Sequence, residues 1–159
     1  MPNSNKFTLS VVVPAYNEEE VLPEFHRRLS ETLEEFDFAS EILYVNDGSS
    51  DETLNIINGF QNPLVAVIDL SRNFGKEIAL TAGLDHARGE AVVVIDADLQ
   101  DPPELIPELV EKWQEGYDVV YARRTTRDGE SFLKKSTAKL FYRFIQGVSR
   151  VKIPEDTGD

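Results

Sequence analysis

Leu9-Ser10-Val11-Val12-Val13-Pro14-Ala15-Tyr16-Asn17-Glu18-Glu19 places an apolar run of strand character directly before a polar turn, and a helix-period segment, Glu19–Phe36, comes at once after it. In that segment Val21, Leu22, Phe25, Leu29, Leu33 and Phe36 fall on one stripe, the spacing of a helix with a single apolar face. The succession then repeats. Strand-like runs at Glu41–Asp47, Leu64–Leu70, Ala91–Asp96 and Asp118–Tyr121 alternate with helical segments at Asp51–Phe60, Lys76–Ala87 and Pro103–Gln114. The runs from Leu9–Val13 onward are short, rich in valine and isoleucine and apolar on both faces, as strands are when helices cover them from both sides. Ser50 or Asp51 can cap the second helix, and Pro103 has the fixed φ suited to a first helical turn. Strand and helix in turn, joined by a few residues, predict right-handed βαβ units and an α/β fold of three layers around a mostly parallel central sheet. No internal repeat or low-complexity linker interrupts the chain, so one domain over residues 1–159 is expected.

The 159 residues suit one domain of common size, able to bury roughly two thirds of its unfolded surface. The chain has no cysteine, which removes disulfides, thiolate metal sites and cysteine nucleophiles together. It holds no run of 18 apolar residues and no signal-peptide pattern, so neither a membrane span nor export by that route is expected. A net charge of −13 opposes general nucleic-acid binding, whose affinity the phosphate backbone dominates. That charge is unevenly spread: residues 1–120 carry 7 basic and 24 acidic side chains, whereas residues 121–153 carry nine basic and two acidic ones. An acidic body thus runs into a basic arm, suited to anionic lipid, a phosphorylated substrate or an acidic neighbouring subunit.

Ligands of open parallel sheets sit beyond the carboxyl ends of the strands, so the residues just past each strand are the informative ones. The successive ends read Pro14-Ala15-Tyr16-Asn17-Glu18-Glu19, Asn46-Asp47-Gly48-Ser49-Ser50-Asp51, Ser71-Arg72-Asn73-Phe74-Gly75-Lys76, Asp96-Ala97-Asp98-Leu99-Gln100-Asp101 and Ala122-Arg123-Arg124. Together they form one polar rim. Asp96 and Asp98, with Gln100 beyond them, offer hard oxygen donors that suit Mg²⁺ or Mn²⁺, and no histidine or cysteine stands near to favour zinc. The plainer alternative is that these aspartates form a turn before Pro102-Pro103 and cap the next helix. Neither the glycine fingerprint of dinucleotide binders nor a GxxxxGK[ST] phosphate loop occurs. Tyr16 is suited to stacking on a base, and Asn17, Glu18 and Asp47 to bonding its edge or a ribose hydroxyl; Asp47-Gly48-Ser49 also reads as an ordinary turn. His26 and His86 fall on helices away from the strand ends and read as ordinary helix residues.

Four segments in this order, Val11-Val12-Val13-Pro14-Ala15-Tyr16-Asn17-Glu18, Val45-Asn46-Asp47-Gly48-Ser49-Ser50-Asp51, Asn73-Phe74-Gly75-Lys76 and Asp96-Ala97-Asp98-Leu99-Gln100-Asp101-Pro102-Pro103, resemble the inverting family-two glycosyltransferases of GT-A (Rossmann-like) fold. Within that family they look most like polyprenyl-phosphate glycosyltransferases, of the dolichyl-phosphate mannose synthase and bacterial undecaprenyl-phosphate sugar transferase kind. The resemblance implies that Pro14, Tyr16, Glu18 and Asp47 hold the base and ribose of a UDP- or GDP-sugar, with Lys76 and Asp96 near the nucleotide. It further implies that Asp98 and Gln100, beside Asp96, bind a Mg²⁺ or Mn²⁺ bridging the diphosphate, which gives Asp98 a catalytic role. Arg123 and Arg124 would meet a donor or acceptor phosphate. The ending Glu155-Asp156-Thr157-Gly158-Asp159 resembles a further family motif whose last aspartate lies near the acceptor, and family members continue beyond it, so a longer natural chain is expected.

Displacement at the anomeric carbon needs a neutralised leaving group and a nucleophile, and a divalent cation on the diphosphate supplies the first. A lipid phosphate, with a second pKa near ~6, is already ionised and needs no strong base. A sugar hydroxyl would need one, and Asp159 is the candidate for that role or for positioning. In residues 131–150, Phe132, Leu133, Leu140, Phe141, Phe144, Ile145 and Val148 recur at helical spacing beside the row Lys135, Lys139 and Arg143. Such a basic amphipathic segment suits a bilayer interface, with Lys135 and Lys139 near the lipid phosphate; the alternative is a helix packed on the sheet with a solvated basic face. The expectation is therefore sugar transfer to a polyprenyl phosphate at the cytoplasmic face of the cell membrane, with a homo-oligomer an open possibility. The competing readings are transfer to a sugar hydroxyl in cell-wall or lipopolysaccharide synthesis, and a non-catalytic sugar-nucleotide-binding module.

Overall fold

The computed structural model describes residues 8–122, and the chain divides into two compact units, residues 1–116 and residues 117–159. The first unit runs β1 (Leu9–Ala15), α1 (Leu22–Glu34), β2 (Ser40–Asn46), α2 (Thr53–Asn58), β3 (Val65–Asp69), α3 (Lys76–His86), β4 (Ala91–Val94), a 3₁₀ turn (Pro103–Leu105) and α4 (Ile106–Gln114). All three strand pairings are parallel, in the order β3-β2-β1-β4, so the sheet and its alternation are as expected. The chain lays β1, β2 and β3 side by side in one direction and then returns to place β4 on the other flank of β1. With the right-handed crossovers that parallel strands favour, that reversal moves the connecting helix to the opposite face of the sheet. The core accordingly has two sides. Leu9, Val11, Val13 and Ala15 pack with Leu22, Phe25 and Leu29 of α1, Ile57 of α2, and Ile106 and Val110 of α4, whereas Val12, Leu43 and Val45 meet Ala79 of α3. Gly83 lets α3 settle onto β1, since a Cβ there would lie 2.3 Å from Val12 Cγ1.

β1 extends through Pro14, two residues past the run Leu9–Val13. Proline has no N–H for a ladder, but residues of this parity bond toward β4, as the Ile95 N–H does to the Val12 carbonyl, and β4 ends opposite Val12. The missing donor therefore falls where no strand needs it. α1 starts at Leu22 because Pro23 is admitted only in a first turn. Pro107 splits the segment Pro103–Gln114: it has no N–H to give the Pro103 carbonyl, and the Ile106 N–H closes a 3₁₀ turn on that carbonyl instead.

The fifth expected strand is not found. Asp118–Tyr121 takes no strand conformation, and Val119 and Tyr121 are 79% and 67% exposed. Valine and tyrosine favour a strand only where a neighbour pairs with it and a face is covered, and among the described residues this run has neither. Arg123, Arg124, Lys135, Lys139, Asp159 and the segment 131–150 lie outside the described residues. Among the described residues no helix is long and apolar enough to cross a membrane.

His26 lies in the helical layer, away from the strand ends. Its ring stacks on Phe60 with centroids 3.7 Å apart, and Nδ1 shares a hydrogen bond of 3.1 Å with the buried Tyr44 hydroxyl. Burial holds its pKa below the usual value of 6.5. Well above pH 6.5 the ring is neutral in both folded and unfolded chains and adds no pH dependence. As pH falls through 6.5 the unfolded chain takes up the proton first, so stability is expected to fall with pH until the folded ring also titrates. Urea titrations between about pH 7.5 and 5 check this, and His26→Phe should flatten the slope in that window.

Candidate active site

β1 and β4 are adjacent in the sheet but are reached by connections running in opposite directions, and this is where an open crevice of about 270 Å³ forms. Pro14, Ala15, Tyr16 and Glu18 line it from the end of β1, Asp47 from β2, and Asn73, Gly75, Lys76 and Ala79 from the turn into α3 and its first residues. Asp96, Ala97 and Asp98 close it from the end of β4. Seven residues marked from sequence for the donor (Pro14, Tyr16, Glu18, Asp47, Lys76, Asp96 and Asp98) thus share one crevice. Gln100 is exposed and does not line it; its N–H donates to Asp98 Oδ1 at 2.9 Å. Asn17 also turns elsewhere: read as a partner for a base or ribose, its Oδ1 instead accepts the Ser50 N–H at 2.8 Å.

The walls differ in chemistry. Tyr16, 45% exposed, stands at the mouth as a flat aromatic surface. Asp47 is buried, and its two oxygens accept the N–H groups of Phe74 and Gly75 at 2.7 and 2.9 Å, which fastens the β3–α3 turn to the end of β2. Gly48 makes that contact possible: it sits at φ 65°, and a Cβ on it would lie 2.3 Å from the Arg72 carbonyl carbon. Lys76 Nζ donates to Asp96 Oδ2 at 2.8 Å across the crevice. Lys76 also opens α3, so the positive end of that helix borders the same space. Burial, and then the charges of Asp98, Asp96 and Asp51, raise the Glu18 carboxyl above the usual range. Negative charge therefore converges on this corner in excess of what Lys76 neutralises. Among the described residues no three acidic, histidine or cysteine side chains are gathered closely enough to enclose an ion. A hexacoordinate Mg²⁺ or Mn²⁺ needs no such cage, since it takes one or two carboxylates and completes its shell with phosphate oxygens and water. Asp98 and Asp96 fit that demand.

Leu99, between Asp98 and Gln100, holds φ 60°, an uncommon conformation for a leucine, while its side chain packs on the core. The strain sits in the acidic turn itself, which is where functional loops store it.

Residues 10–159 match the model of the glycosyl transferase family 2 domain. The chain belongs to that family. The glycosyltransferase YkcC of Bacillus subtilis is 54% identical over 158 residues, 98% of this chain and 49% of that protein. The bactoprenol glucosyl transferase of Shigella phage SfV is 50% identical over 153 residues, 95% of this chain and 50% of that enzyme. Among solved structures, glucosyl-3-phosphoglycerate synthase from Mycobacterium tuberculosis, in complex with Mn²⁺, UDP and glucosyl-3-phosphoglycerate, superposes with a TM-score of 0.61 at 26% identity, covering 91% of this chain and 50% of that one. This family 2 chain thus spans about half the length of the relatives it matches. Its GT-A architecture, with a parallel sheet and flanking helices, is that of its structural neighbours.

The sequence put Asn73 and Ala97 on the rim without a role for either, and nothing in it marked Ala79, which also lines the crevice. Small or neutral side chains carry no chemical signature, and tertiary packing brings these together: Ala79 comes with α3 as it packs on Val12, Leu43 and Val45, and Ala97 follows β4.

Proposed function

We propose that this chain is the catalytic domain of an inverting glycosyltransferase that moves a hexose from a nucleoside diphosphate to a polyprenyl phosphate at a membrane surface. The observation that carries the reading is the crevice at the β1/β4 reversal, which holds an aromatic ring, a lysine, a helix N-terminus and a surplus of carboxylates within one space. The acceptor class rests on the relative named a bactoprenol glucosyl transferase, half of whose length the chain spans.

Tyr16 offers its face to the base, and Glu18, its carboxyl raised by burial and neighbouring charge, accepts from or donates to the ribose hydroxyls. Asp47 keeps Phe74 and Gly75 in place, so that α3 begins beside the diphosphate, where its N-terminal N–H groups and Lys76 favour negative charge. Asp98 and Asp96 would hold a Mg²⁺ or Mn²⁺, which when bound neutralises charge on the diphosphate leaving group. An oxygen of the acceptor phosphate forms the new bond to the anomeric carbon as the bond from that carbon to the diphosphate oxygen breaks. The nucleoside diphosphate leaves with the electron pair. The acceptor arrives ionised, so the described residues need supply no general base.

Incubation of the chain with undecaprenyl phosphate, Mn²⁺ and a panel of UDP- and GDP-sugars tests this directly. Nucleoside diphosphate released only when the lipid phosphate is present, together with a lipid-linked sugar of inverted anomeric configuration, is the expected result. Tight donor binding with neither product would contradict it.

A further inference from the structure

The loops after β1 and β2 are joined by a reciprocal set of side-chain-to-backbone hydrogen bonds. The consecutive N–H groups of Asn17, Glu18 and Glu19 donate to Ser49 Oγ at 3.0 Å, Thr53 Oγ1 at 2.8 Å and Asp51 Oδ2 at 3.2 Å. In the opposite direction the N–H groups of Ser50 and Glu52 donate to Asn17 Oδ1 at 2.8 Å and Glu19 Oε2 at 2.9 Å. Each loop thus satisfies the other's backbone, across 32 to 35 residues of sequence.

Stability alone is a poor reason for this arrangement. Most of these bonds are exposed, where water competes for both partners and the net gain from each is small. One of their members, Asn17, is also held at φ 55°. Asparagine tolerates that left-handed conformation better than other residues with a Cβ, and its short side chain still reaches Ser50. The local consequence lies at the crevice: Tyr16 and Glu18, which flank Asn17, both line it. The Glu18 N–H, moreover, is pinned by Thr53, a fully buried residue that opens α2.

We infer that Asn17 and Thr53 are positioning residues for the donor site: they lock the β1–α1 turn onto the β2–α2 turn, so that Tyr16 and Glu18 stand ready before a nucleotide arrives. This rests on the reading of the crevice as a nucleotide site. Ordering a free loop on binding costs side-chain freedom, and a turn laced in advance avoids that cost.

Three variants separate this role from plain folding. Asn17→Gly keeps the backbone conformation and removes the acceptor; Thr53→Val removes the hydroxyl at near-constant volume; Thr53→Ser keeps the hydroxyl. With UDP or GDP and Mn²⁺, whichever nucleotide the wild-type chain binds, Asn17→Gly and Thr53→Val should each weaken binding about tenfold by calorimetry. Thr53→Ser should bind within about twofold of wild type. Amide exchange should accelerate at Ser50 in Asn17→Gly and at Glu18 in Thr53→Val, with the amides of β1 and β2 still protected. Faster exchange at those amides with unchanged nucleotide affinity overturns the positioning role, and unchanged exchange at Ser50 overturns the lacing. A wild-type chain that binds neither nucleotide overturns the reading of the crevice itself.

Discussion

Asp98→Ala is expected to weaken UDP or GDP binding in the presence of Mn²⁺ by about a hundredfold, or about 2.7 kcal/mol, and to leave binding of the uncharged nucleoside nearly unchanged. The sign of the effect carries the information. Asp98 stands with Glu18, Asp96 and Lys76 around one crevice, and its charge helps push the Glu18 carboxyl up. Were the diphosphate bound there without a cation, removing a carboxylate beside it would relieve repulsion and strengthen binding. A large loss instead means that Asp98 reaches the diphosphate through a positive ion. Calorimetric titrations of nucleoside, nucleoside diphosphate and donor, each with Mn²⁺ and with EDTA, distinguish the two. The wild-type chain should lose diphosphate affinity on chelation and the variant should show little further change.

The second large effect lies at the opposite end of the sheet. The Glu41 carboxylate is fully buried, and its Oε1 accepts the Ser10 hydroxyl at 2.7 Å and the Arg88 N–H at 2.9 Å. The Arg88 guanidinium grips Oε2, with Nε at 2.9 Å, and the Ser10 hydroxyl also receives the Gly89 N–H at 2.8 Å. This network fastens the α3–β4 connection beneath β1 and β2, and so sets where β4 and its aspartates emerge. Burial alone would push the Glu41 carboxyl up, but the Arg88 and Ser10 bonds outweigh it and hold the group below its usual value. Arg88→Met keeps the buried charge and removes its counter-charge. A loss of about 3 kcal/mol is expected, at the low end for an uncovered buried charge, because Ser10 and the Arg88 N–H still hold the carboxylate. The pH dependence should change sign. In the wild type the Glu41 contribution is present above pH 4.5 and is lost as pH falls through the lower folded pKa. In the variant burial dominates and raises the folded pKa, so protonation favours the native state and the gap between the two chains should narrow on acidification. Guanidinium unfolding of both chains between about pH 7 and pH 4 measures that gap, in which the other titrating groups cancel.

The alternation of apolar runs and amphipathic segments made the sheet legible, because parallel strands buried on both faces and helices with one apolar stripe leave different periods in a sequence. The strand ends were legible for the same reason: Asp47, Lys76, Asp96 and Asp98 each interrupt an apolar or turn-like context with a charge. What stayed hidden depends on contacts between distant segments. Asp118–Tyr121 has the composition of a strand, yet no composition supplies a pairing partner. The lacing of Asn17 to Ser50 and of Thr53 to Glu18 runs between side chain and backbone over more than thirty residues and has no period at all. Asn17 accordingly read as a ligand contact, when its carbonyl oxygen is committed to a neighbouring loop. Glu41 was the missed signal that the sequence did carry, as the single charge inside the β2 run. Such a residue must either be exposed or find a cation, and Arg88, itself exposed, reaches in to supply it.

Nucleotide binding can be mapped on the chain residue by residue, and no other measurement bears so closely on the crevice as the donor site. Titration of ¹⁵N-labelled protein with UDP and with GDP in the presence of Mg²⁺ should, for one of them, shift the amides of Tyr16, Glu18, Asp47, Lys76 and Asp98 together, at one common Kd, and leave the opposite end of the sheet around Ser10 and Gly89 unmoved. Saturable shifts confined to other surfaces, with those five amides stationary, would contradict it.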